Sequence, residues 1–316
     1  MLVDRNRHEA VVIGGGPAGS SCAVWLAHLG FAPILIEAGS RIGGLCRLHS
    51  FRDDWNASLP GVTGPQVADN LEVSLAHAKV PLLLSHTVTG VEPTGDGFAV
   101  AVSGVRDVVL RAPYVVLATG VTARGLPGTN IAAPKAEDSS VRQGSASGTH
   151  GAVLIGPGEH IVAKDFRDKR VAVLGGGDNA FENALYAMRH GASSVDLYAR
   201  TVRAQRQFVR QVPVAHVHAG KYRVDAAAQA VNGNHYDVIM VFYGWEPIVD
   251  YAAGLKLRRT ARGYVATDAV TAQTSCAGVY AIGEVAQRQH PCVVTALADG
   301  VVAAKAIQAS IEQNGS

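Results

Sequence analysis

Two short glycine-rich runs hold the residue types and spacing most able to do chemistry. Gly14-Gly-Gly-Pro-Ala-Gly19 and Gly175-Gly-Gly-Asp-Asn-Ala180 share one pattern, G-x-G-x-x-G or A. That spacing suits a backbone cradle for a pyrophosphate. Gly14 allows a tight turn, Gly16 admits a ligand close to the backbone, and Gly19 lets a helix pack hard on a strand. A helix that starts there also points unpaired N–H groups and its positive dipole end at the phosphates. In the second run Gly175, Gly177 and Ala180 take these parts, with Asp178 and Asn179 between them. The residues that follow differ. Glu37 stands 18 positions beyond Gly19 and can accept hydrogen bonds from both hydroxyls of an adenosine ribose. Arg200 stands 20 positions beyond Ala180, with Arg203 and Arg206 behind it and no carboxylate at the tip. A cation there selects a 2′-phosphate, hence NADPH over NADH; a solvated basic loop is the alternative. Two unlike dinucleotide sites in one chain point to a permanently held FAD in the first and a transiently held NADPH in the second.

The elements that must position these residues follow from apolar patterning. Residues 10–13 form a buried-strand pattern, 20–29 a helix stopped by Gly30, and 33–37 a second strand. The same grammar returns as a strand at 170–174, a helix at 181–190 stopped by Gly191, and a strand at 194–198. Residues 114–117 make a further buried strand ending in Ala118-Thr119-Gly120, and 278–284 another with a polar tip. Pro291 is placed to open a helix running to about residue 311. Val293, Val294, Leu297, Val301, Val302 and Ile307 fall on or near one face of it. Its N-terminus would supply positive potential to a reduced flavin; packing on a sheet is the simpler role, and the two are compatible.

At 316 residues and 32.9 kDa the chain exceeds a single core and suggests two compact units. An apolar share of 48% excludes disorder of the whole chain, and a net charge of +2 argues against a nucleic-acid binder. The four cysteines, Cys22, Cys46, Cys276 and Cys292, make neither a CxxC nor a zinc spacing, which suits a reducing compartment. The first strand begins too early for a secretory peptide, and no uninterrupted apolar run reaches bilayer length. A soluble cytoplasmic protein is expected.

The chain resembles the low-molecular-weight thioredoxin reductase superfamily of flavoproteins over nearly its whole length. The resemblance rests on Gly14-Gly-Gly-Pro-Ala-Gly19, Gly61-Val-Thr-Gly-Pro65, Ala118-Thr-Gly120, Gly175-Gly-Gly-Asp-Asn-Ala180 and Gly278-Val-Tyr-Ala-Ile-Gly-Glu-Val285. It implies an α/β fold of two Rossmann-like, three-layer ββα domains, the nicotinamide domain (125–245) inserted in a discontinuous FAD domain (1–124 and 246–316). It implies that Gly15, Pro17, Ala18, Glu37, Ala38, Gly44 and Leu45 line the FAD, with Gly283 and Glu284 on the ribityl chain and Cys292 and Val293 at the flavin ring. Glu284 stands where the family carries Asp. The family dithiol falls in a stretch that reads Gly156-Pro-Gly-Glu-His-Ile-Val162 here, without cysteine, so ordinary thioredoxin reductase chemistry is not expected. The chain looks more like the thioredoxin-reductase-like ferredoxin (flavodoxin)–NADP reductases, without their added C-terminal segment. Of the family's NADPH arginines Arg200 is present, while Thr201 and Gln205 replace two others. A homodimer, and rotation of one domain against the other, are further implications.

Several residues stay open at this level. His290 could donate to the flavin or have no task, and Cys46 and Cys292 could form a redox pair or be unpaired thiols. His216, His218 and His235 look solvated or structural. Phe242, Tyr243 and Trp245 are read as hinge packing, and 136–150, rich in Ser, Gly and charge, as a mobile loop. The resulting expectation is an FAD-dependent oxidoreductase passing hydride from NADPH to FAD and electrons to a ferredoxin, a flavodoxin or a small-molecule acceptor. Its alternatives are a flavoprotein oxidase or disulfide-type reductase on a small substrate, and a non-catalytic flavin-binding redox sensor.

Overall fold

A computed structural model describes residues 8–49, 51–128 and 153–314; the segment 136–150 lies outside them. The chain divides into two compact units, one built from Met1–Val121 and Pro247–Ser316, the other from Thr122–Glu246.

In the first unit β1 (Ala10–Ile13) is buried throughout and runs straight into the first glycine turn. Helix α1 (Pro17–His28) starts three residues earlier than the apolar pattern places it. Proline's fixed φ suits the first helical position, so the last residues of the turn are already helical. Strand β2 (Pro33–Ile36) returns parallel to β1, with Val11 beside Ile34. Helix α2 (Gly64–His77) is closed at its start by side chains: Gln66 Oε1 accepts the Thr63 backbone N–H at 2.8 Å. After β3 (Leu82–Leu83) comes an antiparallel meander of β4 (Thr87–Thr94), β5 (Gly97–Ser103) and β6 (Val108–Ala112). Strand β7 (Tyr114–Leu117) then pairs parallel with β1.

The second unit repeats the plan. Strand β8 (Val153–Ile155) precedes β9 (Arg170–Leu174), which leads into the second glycine turn. Helix α3 (Asp178–Arg189) again begins earlier than expected, at Asp178, whose charge favours a helix N-terminus. Strands β10 (Ser194–Ala199) and β11 (Val217–Ala219) extend the sheet. A short meander of β12 (Val224–Asp225), β13 (Ala230–Val231) and β14 (Asn234–His235) precedes β15 (Val238–Val241). The parallel order is β8-β15-β9-β10-β11. Back in the first unit, β16 (Val279–Ala281) completes a parallel sheet of order β16-β7-β1-β2-β3, and α4 (Val293–Asn314) follows.

Each sheet is covered on both faces, which makes each unit three layers. In the first, α1, α2 and α4 pack around Val12, Leu35 and Val116 on one side. The meander residues Val88, Val100 and Leu110 meet Val11, Ile34 and Val115 on the other. In the second, Phe181 and Ala184 of α3 cover Val173 and Leu197, while Val231 of the short meander covers Leu174 and Val241. Adjacent strand residues therefore feed opposite cores, which is why the central strands read as unbroken apolar runs.

Helix α4 differs from its expected face. Val293, Leu297, Val302 and Ile307 do pack into the first core, but Val294 is exposed, and Ala303 and Ala304 are buried instead. At the crossing with α1 the Leu297 carbonyl accepts the Ser21 hydroxyl at 2.8 Å. By length and composition Val293–Gln313, mean hydropathy 1.3, is the one helix among the described residues able to cross a membrane. Asp299 and Lys305 interrupt its apolar run. Asp299 is buried, and Gly300 lies against α1: a Cβ at residue 300 would come within 2.5 Å of the Ala18 carbonyl oxygen and 2.6 Å of the Cys22 amide nitrogen. Both contacts are backbone and cannot step aside. Gly300→Val is therefore expected to destabilise the protein by about 1–3 kcal/mol, read as a lowered urea midpoint, whereas the same change at exposed Ala298 is near neutral.

Candidate functional site

In the first glycine turn the structure separates three demands on glycine. Gly14 sits at φ +108° with the Ala118 carbonyl 2.4 Å from where its Cβ would lie, and a Cβ on Gly19 would lie 2.0 Å from the Gly14 oxygen. Those two are glycine because the protein approaches itself. A Cβ on Gly16 would meet nothing within 4 Å. Its surroundings are open, which leaves the backbone reachable from outside. Helix α1 has no side-chain cap, unlike α2, so its first N–H groups face that opening.

The expected lining residues converge there. Glu37 Oε2 accepts the Gly15 N–H at 2.6 Å, and Oε1 accepts the Gly39 N–H at 2.8 Å. The carboxylate thus fixes the turn as well as standing at the tip of β2. Gly43 donates to the Gly15 carbonyl at 2.9 Å, and Gly44, at φ +52°, lies beside the Gly16 backbone, with Leu45 next to it. This loop is held by Arg47, which donates through Nε to the Ile42 carbonyl at 2.7 Å and pairs with Asp69 and Glu72 of α2. Ala18 lies against Gly283, whose Cβ would meet the Ala18 methyl at 2.9 Å. Ala38 is exposed beside Glu37.

Sequence reasoning missed the group that holds Gly283. Asp299 Oδ2 accepts the Gly283 N–H at 3.1 Å, and Oδ1 pairs with Arg288 Nη1 at 3.0 Å, both side chains being more than nine-tenths buried. Arg288 Nη2 also donates to the Ala269 carbonyl, while its buried Nε has no partner among the described residues. The available signal was one Asp-Gly pair inside an otherwise apolar helix. Burial pushes the Asp299 carboxyl up, against the opposing pull of the Gly283 N–H and Arg288. Glu284, half-buried beside it, is pushed up by burial alone.

The second turn repeats the geometry with different backing. A Cβ on Gly175 (φ +142°) would lie 2.4 Å from the Phe242 carbonyl oxygen, and one on Gly177 would meet nothing within 4 Å. Helix α3 is also uncapped by side chains. A Cβ on Gly176 would sit 2.0 Å from the Thr201 carbonyl oxygen, and the Arg203 N–H donates to the Gly176 carbonyl. Asp178 accepts the Gln205 backbone N–H at 2.7 Å and its side-chain amide at 3.0 Å. Asn179 gives its carbonyl to Asn183, and Ala180 is buried in the helix–sheet core. The loop carrying Arg200, Arg203 and Arg206 is thereby folded onto the turn. All three arginines are exposed, and none forms an ion pair among the described residues.

Other expected residues take defined places. The Thr119 hydroxyl donates to the Ile248 carbonyl and touches the Tyr251 hydroxyl at 3.2 Å, and the Gly120 carbonyl accepts the Ile248 N–H. His290 is exposed, and its carbonyl accepts the Thr295 hydroxyl at 2.6 Å. Cys292, exposed before α4, receives the Thr295 N–H on its sulfur at 3.5 Å, with Val293 opening the helix. Cys46 is buried in the first core, and none of the four cysteines forms a disulfide among the described residues. His216 and His218 both reach the Asp196 carboxylate, at 3.5 and 3.0 Å, which fits a structural role. Among the described residues no group of three His, Cys, Asp or Glu side chains could hold a metal ion. Phe242 and Tyr243 are not one cluster: successive residues leave a strand on opposite sides, and each packs on a different face of the second sheet.

Residues 8–300 match the family model described as pyridine nucleotide-disulphide oxidoreductase. The chain belongs to that family. It is an FAD-dependent NAD(P)H oxidoreductase of the thioredoxin reductase-like fold. It is 29% identical over 303 residues to a ferredoxin–NADP reductase of Limosilactobacillus fermentum, covering 88% of this chain and 86% of the relative. A thioredoxin reductase of Mycolicibacterium smegmatis is 26% identical, with 96% of each chain covered. Among solved structures, Lactococcus lactis thioredoxin reductase matches with a TM-score of 0.76 at 23% identity, covering 97% of this chain and 99% of that one. The bacillithiol disulfide reductase of Bacillus cereus matches with a TM-score of 0.75 at 17% identity, covering 96% and 99%.

For the family member in hand, the raised carboxyl of Glu284 sets a sign. An acid whose folded pKa lies above its unfolded value stabilises the fold below the unfolded pKa and loses that contribution as pH rises through the folded one. In flavin-free protein, Glu284→Gln is expected to match wild type in acid and to exceed it in urea midpoint once pH passes that range. Parallel curves for the two proteins would contradict this account.

Proposed function

We propose that the first unit holds FAD, the second NADPH, and that the protein delivers reducing equivalents from NADPH to a one-electron carrier protein, a ferredoxin or flavodoxin. The observation that carries this reading is the contrast between the two turns. One ends in the Glu37 carboxylate, which accepts backbone N–H groups and leaves further lone pairs for ribose hydroxyls. The other ends in three exposed arginines on a loop pinned to its turn. Bound FAD would supply the chemistry, accepting two electrons together and releasing them singly. The chain's own residues bind and orient it. Gly15, Gly16, Pro17, Ala18 and Gly19 hold the pyrophosphate, Glu37 the adenosine ribose, and Gly44, Leu45, Ala118, Gly283 and Glu284 the remainder. Gly175, Gly177, Asp178, Asn179, Ala180, Arg200 and Arg206 serve the nicotinamide nucleotide.

The carrier-protein acceptor is supported by the likeness to a ferredoxin–NADP reductase and by the absence of a cysteine at residues 156–162. A homodimer in the cytoplasm, with neither nucleic acid nor membrane as partner, completes the reading. A second reading, a disulfide-type reductase acting on a small substrate, draws on the exposed Cys292 sulfur, which receives the Thr295 N–H at 3.5 Å.

Anaerobic titration tests the assignment. NADPH is expected to bleach the flavin band at lower concentration than NADH, and added ferredoxin or flavodoxin to restore it. An oxidised spectrum that persists with both nucleotides would overturn the proposal. Glu37→Ala is expected to purify with little flavin, losing about tenfold or more in affinity through the missing charge-assisted hydrogen bonds. Paired replacement of Cys46 and Cys292 by serine is expected to leave carrier reduction unchanged; loss of turnover there would favour the thiol reading.

A further inference from the structure

Resting on the NADPH assignment above, the arginine loop poses a problem of donor number. Arg200 is present, but Thr201 and Gln205 occupy places where the family resemblance puts arginines. Gln205 is committed to Asp178 through both its backbone and side-chain N–H groups. Arg203 and Arg206 are exposed like Arg200, and guanidinium groups open to water each grip a doubly charged phosphate weakly.

The fold brings two phenols to the same place. In a parallel sheet the ends of β10, β11 and β15 lie along the edge where β9 enters the second glycine turn. Tyr222 follows β11, and the Gly220 N–H donates to the Ala199 carbonyl at 2.9 Å, which holds this loop against the residue preceding Arg200. Tyr243 follows β15, directly after Phe242, whose carbonyl crowds Gly175 and whose N–H donates to the Leu174 carbonyl at 2.7 Å. The two loops reach across the sheet edge and meet: the Tyr222 hydroxyl donates to the Tyr243 hydroxyl at 3.2 Å. In that direction the Tyr243 O–H hydrogen is left for another acceptor. Tyr222 is backed by the Tyr198 ring at 5.7 Å, and both rings are half-buried on the face away from α3. Burial pushes both phenols up, against the opposing pull of the Arg200 charge, so both remain protonated donors at neutral pH.

We propose that Tyr243 and Arg200 together bind the 2′-phosphate of NADPH, with Tyr222 as the positioning residue that aims the Tyr243 hydroxyl. The phenol adds a donor where Thr201 and Gln205 stand in place of guanidinium groups.

The test uses the flavin-loaded protein and two fragments, 2′,5′-ADP and 5′-AMP, with binding read by calorimetry. Wild type is expected to prefer 2′,5′-ADP. Tyr243→Phe keeps the ring and is expected to weaken 2′,5′-ADP about tenfold while leaving 5′-AMP unchanged. Tyr222→Phe, also available should Tyr243→Phe fail to fold, is expected to give a smaller loss of the same selectivity. Arg200→Gln is expected to remove most of the preference. If both phenylalanine variants bind the two fragments as wild type does, the phenols only close the sheet edge and the proposal falls. If wild type shows no preference, the NADPH assignment fails first, and this inference with it.

Discussion

The close approach of backbone to backbone at the glycine turns governs the rest of the molecule. A carbonyl 2.0 Å from the place a Cβ would occupy at residue 19 leaves room for hydrogen alone, and the strand end of Gly14 is equally tight against Ala118. Once the chain accepts these contacts, the start of α1 has only one position over the first sheet. Gly300 then lets α4 settle on the same helix, and Ala18 meets Gly283. The open side of Gly16 is a product of this crowding. One stretch of backbone at Gly16 remains accessible, and no side chain caps the helix that starts there.

Both units solve this problem, yet they stabilise the turn by different means. In the first, an ionised side chain does it, since the Glu37 carboxylate receives N–H groups from Gly15 and Gly39. In the second, a backbone segment does it, folded back through the Arg203 N–H and pinned by Asp178. The choice has an electrostatic consequence. A carboxylate at the turn tip favours neutral hydroxyls and repels a further phosphate. A loop of backbone leaves its side chains free to be cationic and to accept one.

The buried pair of Arg288 and Asp299 shows how the first site is completed from a distant part of the chain. Removing two charges from water is costly, and their mutual attraction offsets that only with additional hydrogen bonds. Here those bonds go to the Gly283 amide and the Ala269 carbonyl. The pair is therefore more than a stabilising contact: it fixes the orientation of the Gly283 amide. Arg47 with Asp69 and Glu72 acts in the same way on the Gly43–Leu45 segment, though nearer to solvent.

Local spacing in the sequence determined both glycine turns, the acid and the arginines at their tips, the central strands and the helix stops at Gly30 and Gly191. Each depends on neighbours within about twenty residues, where chain geometry leaves few options. The two meanders escaped notice because alternating residues of ordinary type carry no chemical signature, and the helix starts at Pro17 and Asp178 because a turn and a first helical turn share residues. The tertiary structure alone decided that Asp299 would hold Gly283, that Asp178 would engage Gln205, and that His216 and His218 would share Asp196. Those contacts join segments whose separation in sequence holds no periodic signal, and only sheet order and the crossing of α1 with α4 bring them within bonding distance.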